Sequence, residues 1–199
     1  MYRKLAIKIT DFFVSKKTID ETKKAIYQYG FEILISSLFY TLIFLAIAFL
    51  TDSFFESIIF WLGLFMIRKT AGGHHASSYK SCHILFALNH VIFVLILKFF
   101  SSEYYSYLSS YMLIFCLISV FLFAPVDHKN KPFIKNEYKR YKLFSKLYCI
   151  VLLFFVILCF TTSFKSNIYI FSYTIGTFSA TVSLLSAKII RNKERKKKS

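Results

Sequence analysis

Six long apolar runs, separated by short polar segments, make up most of the chain. They cover residues 31–50, 53–67, 83–100, 104–124, 144–164 and 167–189. A membrane-spanning helix needs about 20 mostly apolar residues, and about 17–25 is the usual range. The pattern therefore predicts an all-α polytopic membrane protein, in which six transmembrane helices form a single bundle over residues 31–189. The second run is short, so its helix must extend into flanking polar residues or stand nearly upright.

The first 30 residues follow a different pattern, because lysines are interspersed among their apolar positions. Ile9 and Phe13 contribute apolar surface to this segment, which predicts a cytosolic amphipathic helical segment over residues 1–30. Such a helix either lies on an anionic membrane surface or is an ordinary solvated helix. Residues 18–21 have the form of a capping box, so a new helix is expected to begin at Thr18.

Basic residues assign an orientation to the predicted helices. Of the 26 lysines and arginines, 24 lie before residue 31, between 68 and 80, between 129 and 146, or after 187. The other two, Lys98 and Lys165, lie beside the alternate joints. Cytosolic loops of membrane proteins carry the excess of basic residues. The segments expected in the cytosol are therefore both termini, the 68–82 segment, the 125–143 loop and the basic tail at 190–199.

The composition favours a membrane protein over a nucleic-acid-binding one. The chain is 56% hydrophobic and carries a formal charge of +16. Binding of nucleic acid would require lysines interleaved with aromatic side chains, whereas here the lysines lie between the apolar runs. The expected partner is the lipid bilayer, and no nucleic acid is expected. Three of the four cysteines lie inside apolar runs and no paired spacing occurs, so no disulfide framework is expected.

The polar segment between the second and third runs contains the most reactive side chains. His75 and Cys82 are seven residues apart, so one continuous helix would separate them by about 10.5 Å along its axis. A thiol and an imidazole exchange a proton only within hydrogen-bonding distance. The chain is therefore expected to bend between them. Gly72 and Gly73 make such a bend feasible, because glycine adopts positive φ without steric cost.

The bend also predicts where the cysteine lies. Ser81 is expected to cap a new helix, with Cys82 in its first turn. There the helix dipole, with Lys80 nearby, favours the thiolate. An unperturbed thiol has a pKa of about 8.5 and is mostly protonated at neutral pH, so this stabilisation matters for a nucleophile.

The residues alone leave other interpretations open. His74, His75, Cys82 and His83 are all capable of binding a metal, but they lack the short paired spacings of zinc sites. The segment is also consistent with a basic loop whose histidines have no chemical role. Deeper in the third run, His90 either lines a substrate path or is satisfied by a neighbouring helix.

Two motifs at the predicted cytosolic side carry a resemblance. The first is Ala71-Gly-Gly-His-His-Ala76, with Arg68 before it and Cys82 after it. The second is Ala124-Pro-Val-Asp-His-Lys-Asn-Lys-Pro132, which follows the fourth predicted span. Together they resemble the accessory gene regulator B (AgrB) family. The chain length, the six predicted spans and the basic loops also agree, so the resemblance covers most of the chain.

The resemblance implies a membrane cysteine endopeptidase of bacterial quorum sensing, located in the plasma membrane. It implies that Cys82 is the nucleophile and His75 the general base, with Gly72 and Gly73 supporting the site. Such an enzyme removes the C-terminal tail of a small precursor peptide through an acyl-enzyme thioester and promotes cyclisation to a (thio)lactone signal. Asp127, in the facing loop, is a candidate to orient His75.

Basic residues near this site suit a precursor peptide with an internal cysteine or serine and an acidic C-terminal tail. Those expected to bind the tail are Lys69, Lys80, Lys129 and Lys131, with Arg68 as a supporting residue. Positive-inside topology also explains these charges. No metal and no cofactor are expected. A small transporter or channel and a metal-dependent membrane protease remain alternatives, and the pairing of two copies as a homodimer is left open.

Overall fold

The computed structural model describes the backbone of residues 2–72, 79–126, 135–160 and 167–196, and their side chains except at 79–83, 135, 158–160 and 194–195. Within this described part, the chain forms α-helices, short 3-10 turns and no strand. The helices are α1 (Tyr2–Ser15), α2 (Lys24–Leu50), α3 (Phe54–Ala71), α4 (Tyr79–Phe99), α5 (Tyr105–Phe123), α6 (Lys135–Phe160) and α7 (Ile168–Lys196). The prediction of an all-α fold is confirmed.

Each of the six apolar runs corresponds to one helix, from α2 to α7. The stretches that are long and apolar enough to cross a membrane are Glu21–Leu50, Ser102–Phe123 and Ile168–Lys193. A shorter apolar stretch, Ile84–Phe99, lies within α4. Helix α3 has 18 residues and carries Glu56, Arg68 and Lys69 near its ends. The chain therefore contains several helices suited to a membrane, and the number of six spans stays a prediction.

Helices α3 and α7 approach each other closely at two glycines. A Cβ atom at Gly63 would collide with the backbone carbonyl oxygen of Tyr173, and one at Gly176 with that of Phe60. Small residues let helix backbones come together in a membrane, where lipid tails remove the hydrophobic drive for association. The two glycines therefore set how closely α3 packs against α7.

Helices α5 and α6 complete the core with α7. Leu113 of α5, Leu152 of α6 and Leu184 of α7 are fully buried. Tyr148 and Tyr173 join α6 to α7, because their hydroxyl oxygens lie 2.8 Å apart. A hydrogen bond between two buried hydroxyl groups avoids the cost of leaving either one without a partner. This pair therefore orients α6 against α7 by polar contact as well as by packing.

Helix α2 lies at the edge of the bundle. One face of it is open, since Leu34, Leu38 and Leu42 are each more than half exposed. The opposite side contacts α4, where the ring centroids of Tyr40 and Phe86 are 5.3 Å apart. An apolar face without a protein partner is expected of a helix surrounded by lipid.

The N-terminal segment is helical as predicted, but α1 folds back along α2. The ammonium nitrogen of Lys24 lies 2.9 Å from a carboxylate oxygen of Asp11. At the other end of α1, the ring centroid of Tyr2 lies 5.7 Å from that of Phe39. The two helices therefore run antiparallel over the first half of α2. The cytosolic location of α1 stays a prediction.

The expected capping box is wrong. The N-cap is Asp20, whose Oδ1 accepts a hydrogen bond from the Thr22 N–H at 3.0 Å. Asp20 caps the 3-10 turn Glu21–Lys23, which leads into α2. The Thr22 N–H also lowers the pKa of the exposed Asp20 carboxyl. Thr18 instead belongs to the turn that follows α1, because its N–H donates to the carbonyl oxygen of Phe13 at 3.0 Å.

Candidate functional site

The candidate site begins where α3 ends. Gly72 has φ +86° and ψ −162°, a backbone conformation that side chains with a Cβ rarely adopt. A Cβ at this position would also overlap the carbonyl oxygen of Val126. Backbone geometry and packing therefore both require glycine at the residue that leaves α3 towards the His-His segment.

The loop after α5 is bonded to this end of α3. The Val126 N–H donates to the carbonyl oxygen of Ala71, with N and O 3.0 Å apart. Ser145 of α6 donates to the carbonyl oxygen of Thr70, also at 3.0 Å. The last carbonyls of a helix have no partner within the helix, so each of these bonds gives a partner to a carbonyl that would otherwise have none. They place the beginnings of the two sequence motifs side by side, at one end of the bundle.

Two predicted basic residues lie in the last turn of α3. The guanidinium carbon of Arg68 lies 4.7 Å from the ring centroid of Phe86 on α4. A cation–π contact of this kind contributes about 0.5–2 kcal/mol. The ammonium nitrogen of Lys69 lies 5.7 Å from the ring centroid of Phe65 on its own helix. Arg68 therefore links α3 to α4, whereas Lys69 stays beside α3.

Cys82 is the fourth residue of α4, which begins at Tyr79. Its expected position at the start of this helix is confirmed. The expected cap at Ser81 is wrong, because the helix begins two residues earlier. Positions four and seven residues apart share one helix face. The position of Cys82 therefore shares a face of α4 with Phe86 and Asn89.

Other predicted site residues lie outside the described part of the chain. Those absent from it are Gly73, His75, Asp127, Lys129 and Lys131, together with the side chains of Lys80 and Cys82. Their roles stay predictions. Of the predicted residues that are described, Arg68 contacts α4, and Gly72 lies against Val126.

A metal site was another interpretation of the polar segment between α3 and α4. Among the described residues, no three histidine, cysteine, aspartate or glutamate side chains are placed to hold one metal ion. The sequence candidates His74, His75, Cys82 and His83 lie outside that set. The metal interpretation is therefore open for these four residues.

A cavity of about 460 Å³ lies between α3, α4 and α7. Its polar lining consists of Arg68 from α3, Asn89 from α4, and Ser179, Ser183 and Ser186 from α7. The rest of the wall is apolar and includes Leu64, Leu85, Phe86 and Ile92. Ligand sites typically have volumes of about 300–1,000 Å³ and mainly apolar walls with a few placed polar groups. This cavity has the size and lining of such a site.

One hydrogen bond joins α4 to α7 inside the cavity. Ser179 donates to the Oδ1 of Asn89, with the two oxygens 2.7 Å apart. The sequence contained a signal for this site, since Asn89 follows Cys82 by seven residues and Ser179, Ser183 and Ser186 recur at helical spacing. Neither spacing shows that α4 and α7 are neighbours, and the sequence interpretation missed the pair for that reason.

His90 is not part of the cavity wall. Its Nε2 lies 2.8 Å from the hydroxyl oxygen of Ser57 on α3. The imidazole is fully buried and stacks on Phe44 of α2, with ring centroids 4.4 Å apart. Of the two interpretations that the sequence allowed, the structure supports a histidine bonded to a neighbouring helix through Nε2, while its buried Nδ1 has no partner among the described residues.

Known proteins similar to this chain belong to one family. The chain matches the family model of accessory gene regulator B over residues 6–185. It is 32% identical to an AgrB-like protein of Clostridium perfringens (strain SM101 / Type A) over 148 residues, which cover 72% of this chain and 69% of the relative. It is 28% identical to accessory gene regulator protein B of Staphylococcus epidermidis over 137 residues, which cover 68% and 70% of the two chains. No solved structure matches the chain.

The family match extends from α1 into α7 and includes both sequence motifs and Cys82. It agrees with the apolar helices, several of which are suited to a membrane. On this basis, the chain belongs to the accessory gene regulator B family of quorum-sensing membrane proteins.

Proposed function

We propose that this protein is a membrane-embedded cysteine endopeptidase, with Cys82 as nucleophile and His75 as general base. It removes the C-terminal tail of a small precursor peptide and promotes cyclisation of the remainder to a (thio)lactone signal. The observation that carries the proposal is the hydrogen bond between Val126 and Ala71. This bond joins the two family motifs at the end of α3, and the Arg68–Phe86 contact connects the same end to the first half of α4.

The first chemical step is acylation of the enzyme. His75 accepts the thiol proton of Cys82, and the thiolate attacks the scissile carbonyl of the precursor. The protonated imidazole then gives its proton to the leaving amine of the acidic tail. The peptide bond is replaced by a thioester between Cys82 and the N-terminal part of the precursor. Asp127 holds His75 in the orientation that this transfer requires.

Backbone N–H groups stabilise the tetrahedral intermediate of this step. The N–H groups of a helix N-cap and of its first three residues have no partner within the helix, and Ser81, directly before Cys82, is the third residue of α4. The N–H of Ser81, with those of Gly72 and Gly73, is proposed to bind the oxyanion. Removing one such donor costs about 100- to 1,000-fold in rate in enzymes of this type.

The second step is ring closure. The internal thiol or hydroxyl of the precursor gives its proton to His75 and attacks the thioester carbonyl. Cys82 leaves as a thiolate and recovers the proton. Exchange of one thioester for another is nearly isoenergetic, so a thiolactone forms without ATP. Hydrolysis to a free carboxylate would instead make cyclisation depend on an outside energy source.

The proposal includes the arrangement of the protein in the bacterial plasma membrane. Six spans place both termini and both motif loops in the cytosol, as the distribution of basic residues favours. The acidic tail of the precursor then meets the cytosolic basic residues Lys69, Lys80, Lys129 and Lys131. The chemistry is the same whether the enzyme works as a monomer or as a homodimer.

The test is the intact mass of the enzyme after incubation in liposomes with a synthetic precursor peptide whose internal nucleophile is alanine. Ring closure is blocked in this peptide, so the thioester adduct should accumulate on the wild-type protein. Cys82→Ala should remove the adduct, and His75→Ala should strongly reduce it. Cys149→Ala is the matched control, because the Sγ of Cys149 on α6 faces the Leu117 carbonyl oxygen of α5, and it should keep the adduct.

Other outcomes would replace the proposal. Cleavage that persists in Cys82→Ala but stops on addition of a chelator would indicate a metal-dependent protease. Peptide that crosses the liposome membrane uncleaved would indicate a transporter.

A further inference from the structure

The cavity between α3, α4 and α7 has no role in the chemistry described above. We propose that it binds the residues of the precursor peptide that precede the scissile bond, in an extended conformation, and that Asn89 and Ser179 select and position them. The inference rests on the proposed function, since it names the substrate segment that the same site holds.

The first argument is position. The position of Cys82 and the cavity residues Phe86 and Asn89 lie on one face of α4, over successive turns. Arg68 lines the cavity from the last turn of α3, the helix end that leads to Gly72. An acyl group attached at position 82 therefore has this cavity beneath it, deeper in the bundle. The tail that leaves as an amine lies on the opposite, cytosolic side.

The second argument is the hydrogen-bonding need of a substrate inside a membrane. A protease attacks a peptide in extended form, and an extended backbone has unpaired N–H and C=O groups. Each unpaired group costs several kcal/mol in a lipid environment. The cavity wall supplies partners, since Ser179, Ser183 and Ser186 recur along the cavity side of α7. Ser186 donates to its own helix at 2.9 Å, a bond that a serine can exchange for one to a ligand.

The third argument is the state of Asn89. Its amide oxygen accepts from Ser179, and among the described residues its amide N–H groups have no hydrogen-bond partner. Asn89 therefore has two donors available to a peptide carbonyl in the cavity. A peptide that displaces the Ser179 hydroxyl exchanges one hydrogen bond for others, so the net cost of opening the pair is small.

The fourth argument is access. Ile92 on α4 and Val182 on α7 both line the cavity, and they are 52% and 44% exposed. The cavity is therefore open between these two helices on the side that faces lipid. A membrane-bound peptide enters there without crossing water, and its apolar side chains meet walls such as Leu64 and Leu85. The expected preference is for apolar residues before the scissile bond and against charged ones.

Photo-crosslinking tests the location directly. Benzoylphenylalanine is placed at Ile92, which lines the cavity, or at Val91, the preceding residue of α4, which is 40% exposed and does not line it. Both proteins carry Cys82→Ala, so that a synthetic precursor peptide with an internal cysteine and an acidic tail binds without being cleaved. We expect a peptide adduct at position 92 and none above background at position 91. Equal adducts at both positions would overturn the inference.

Kinetics test the role of the polar pair. Asn89→Leu and Ser179→Ala each remove a hydrogen bond to the bound peptide. Loss of such a bond, about 1.4 kcal/mol, should lower kcat/KM about tenfold, mainly through KM. Ser110→Ala is the matched control, since Ser110 donates to its own helix in α5 and is not in the cavity wall. It should leave kcat/KM unchanged. A precursor with lysines before the scissile bond should be cleaved poorly by the wild type.

The two proposals fail in different ways. Cys82-dependent cleavage without an adduct at position 92 would overturn the cavity inference and leave the endopeptidase intact. An adduct at position 92 of the Cys82→Ala protein, together with no cleavage of the peptide by the protein that retains Cys82, would support the cavity as a peptide site and refute the endopeptidase.

Discussion

The N–H of Val126 lies 3.0 Å from the carbonyl oxygen of Ala71 and donates a hydrogen bond to it. The two residues belong to motifs that are far apart in the sequence. Ala71 ends α3, and Val126 lies in the loop that follows α5. The close approach leaves no room for a side chain at Gly72. This single contact brings the beginnings of the two motifs together at the end of α3.

Gly72→Ala should disable the site without unfolding the protein. Alanine is strained at φ +86°, and its Cβ would overlap the Val126 carbonyl oxygen. Displacing the catalytic segment by about 1 Å is expected to cost on the order of 100-fold in rate. The measurement is processing of the precursor peptide in liposomes, with the amount of inserted protein as reference.

Gly30→Ala is the matched control for this change. Gly30 lies within α2, and a Cβ there meets nothing within 4 Å. Alanine should stabilise the helix by about 0.5–1 kcal/mol and leave processing unchanged. Equal activity of the Gly72→Ala and wild-type proteins would contradict the geometry at the end of α3.

Gly176→Ala should weaken the packing of α3 against α7. The new Cβ would collide with the backbone carbonyl of Phe60, which belongs to a helix and has little freedom to move. Overpacking of this kind costs about 1–3 kcal/mol. Thermal unfolding in detergent should show a lower midpoint than for the wild type and for Gly30→Ala. An unchanged midpoint would show that the two helices are further apart.

Ser57→Ala and His90→Phe should have different effects on stability. The Ser57 hydroxyl lies 2.8 Å from the buried Nε2 of His90, so its loss leaves the imidazole without this bond and costs about 1–3 kcal/mol. Phenylalanine at position 90 removes the polar group itself and stacks among Phe44, Phe60 and Phe93. It should be tolerated, and peptide processing should persist. Loss of processing in a stable His90→Phe protein would restore the substrate-path interpretation.

The membrane arrangement can be tested by cysteine labelling in a background where native cysteines other than Cys82 are replaced. Cys82 is replaced as well, because it would itself react on the cytosolic side. A cysteine at Asn130 should then react with a membrane-impermeant reagent only after the cells are opened. A cysteine at Ser102, in the joint between α4 and α5, should react in intact cells. The reason is the placement of basic residues, because the predicted six-span arrangement puts 24 of the 26 on the side of residue 130. Labelling of position 130 in intact cells would reverse the orientation.

Much of the secondary structure follows from local sequence. The apolar runs predict α2 to α7, because a long apolar stretch in lipid satisfies its backbone only as a helix. Gly72 predicts the end of α3, since only glycine adopts the conformation found there without strain. Local sequence is less reliable at helix starts. Asp20 caps the turn before α2 in place of Thr18, because the N–H of Thr18 is bonded to Phe13 in the turn that closes α1.

Which helices meet, and through which residues, was decided only by the tertiary structure. Three contacts join segments that are far apart in the chain: Gly63 with Tyr173, Asn89 with Ser179, and Val126 with Ala71. Apolar helices have similar sequences on the faces that meet lipid and those that meet protein. The sequence therefore determines which segments form helices apolar enough for a membrane, whereas packing determines which faces form the core and where a cavity remains.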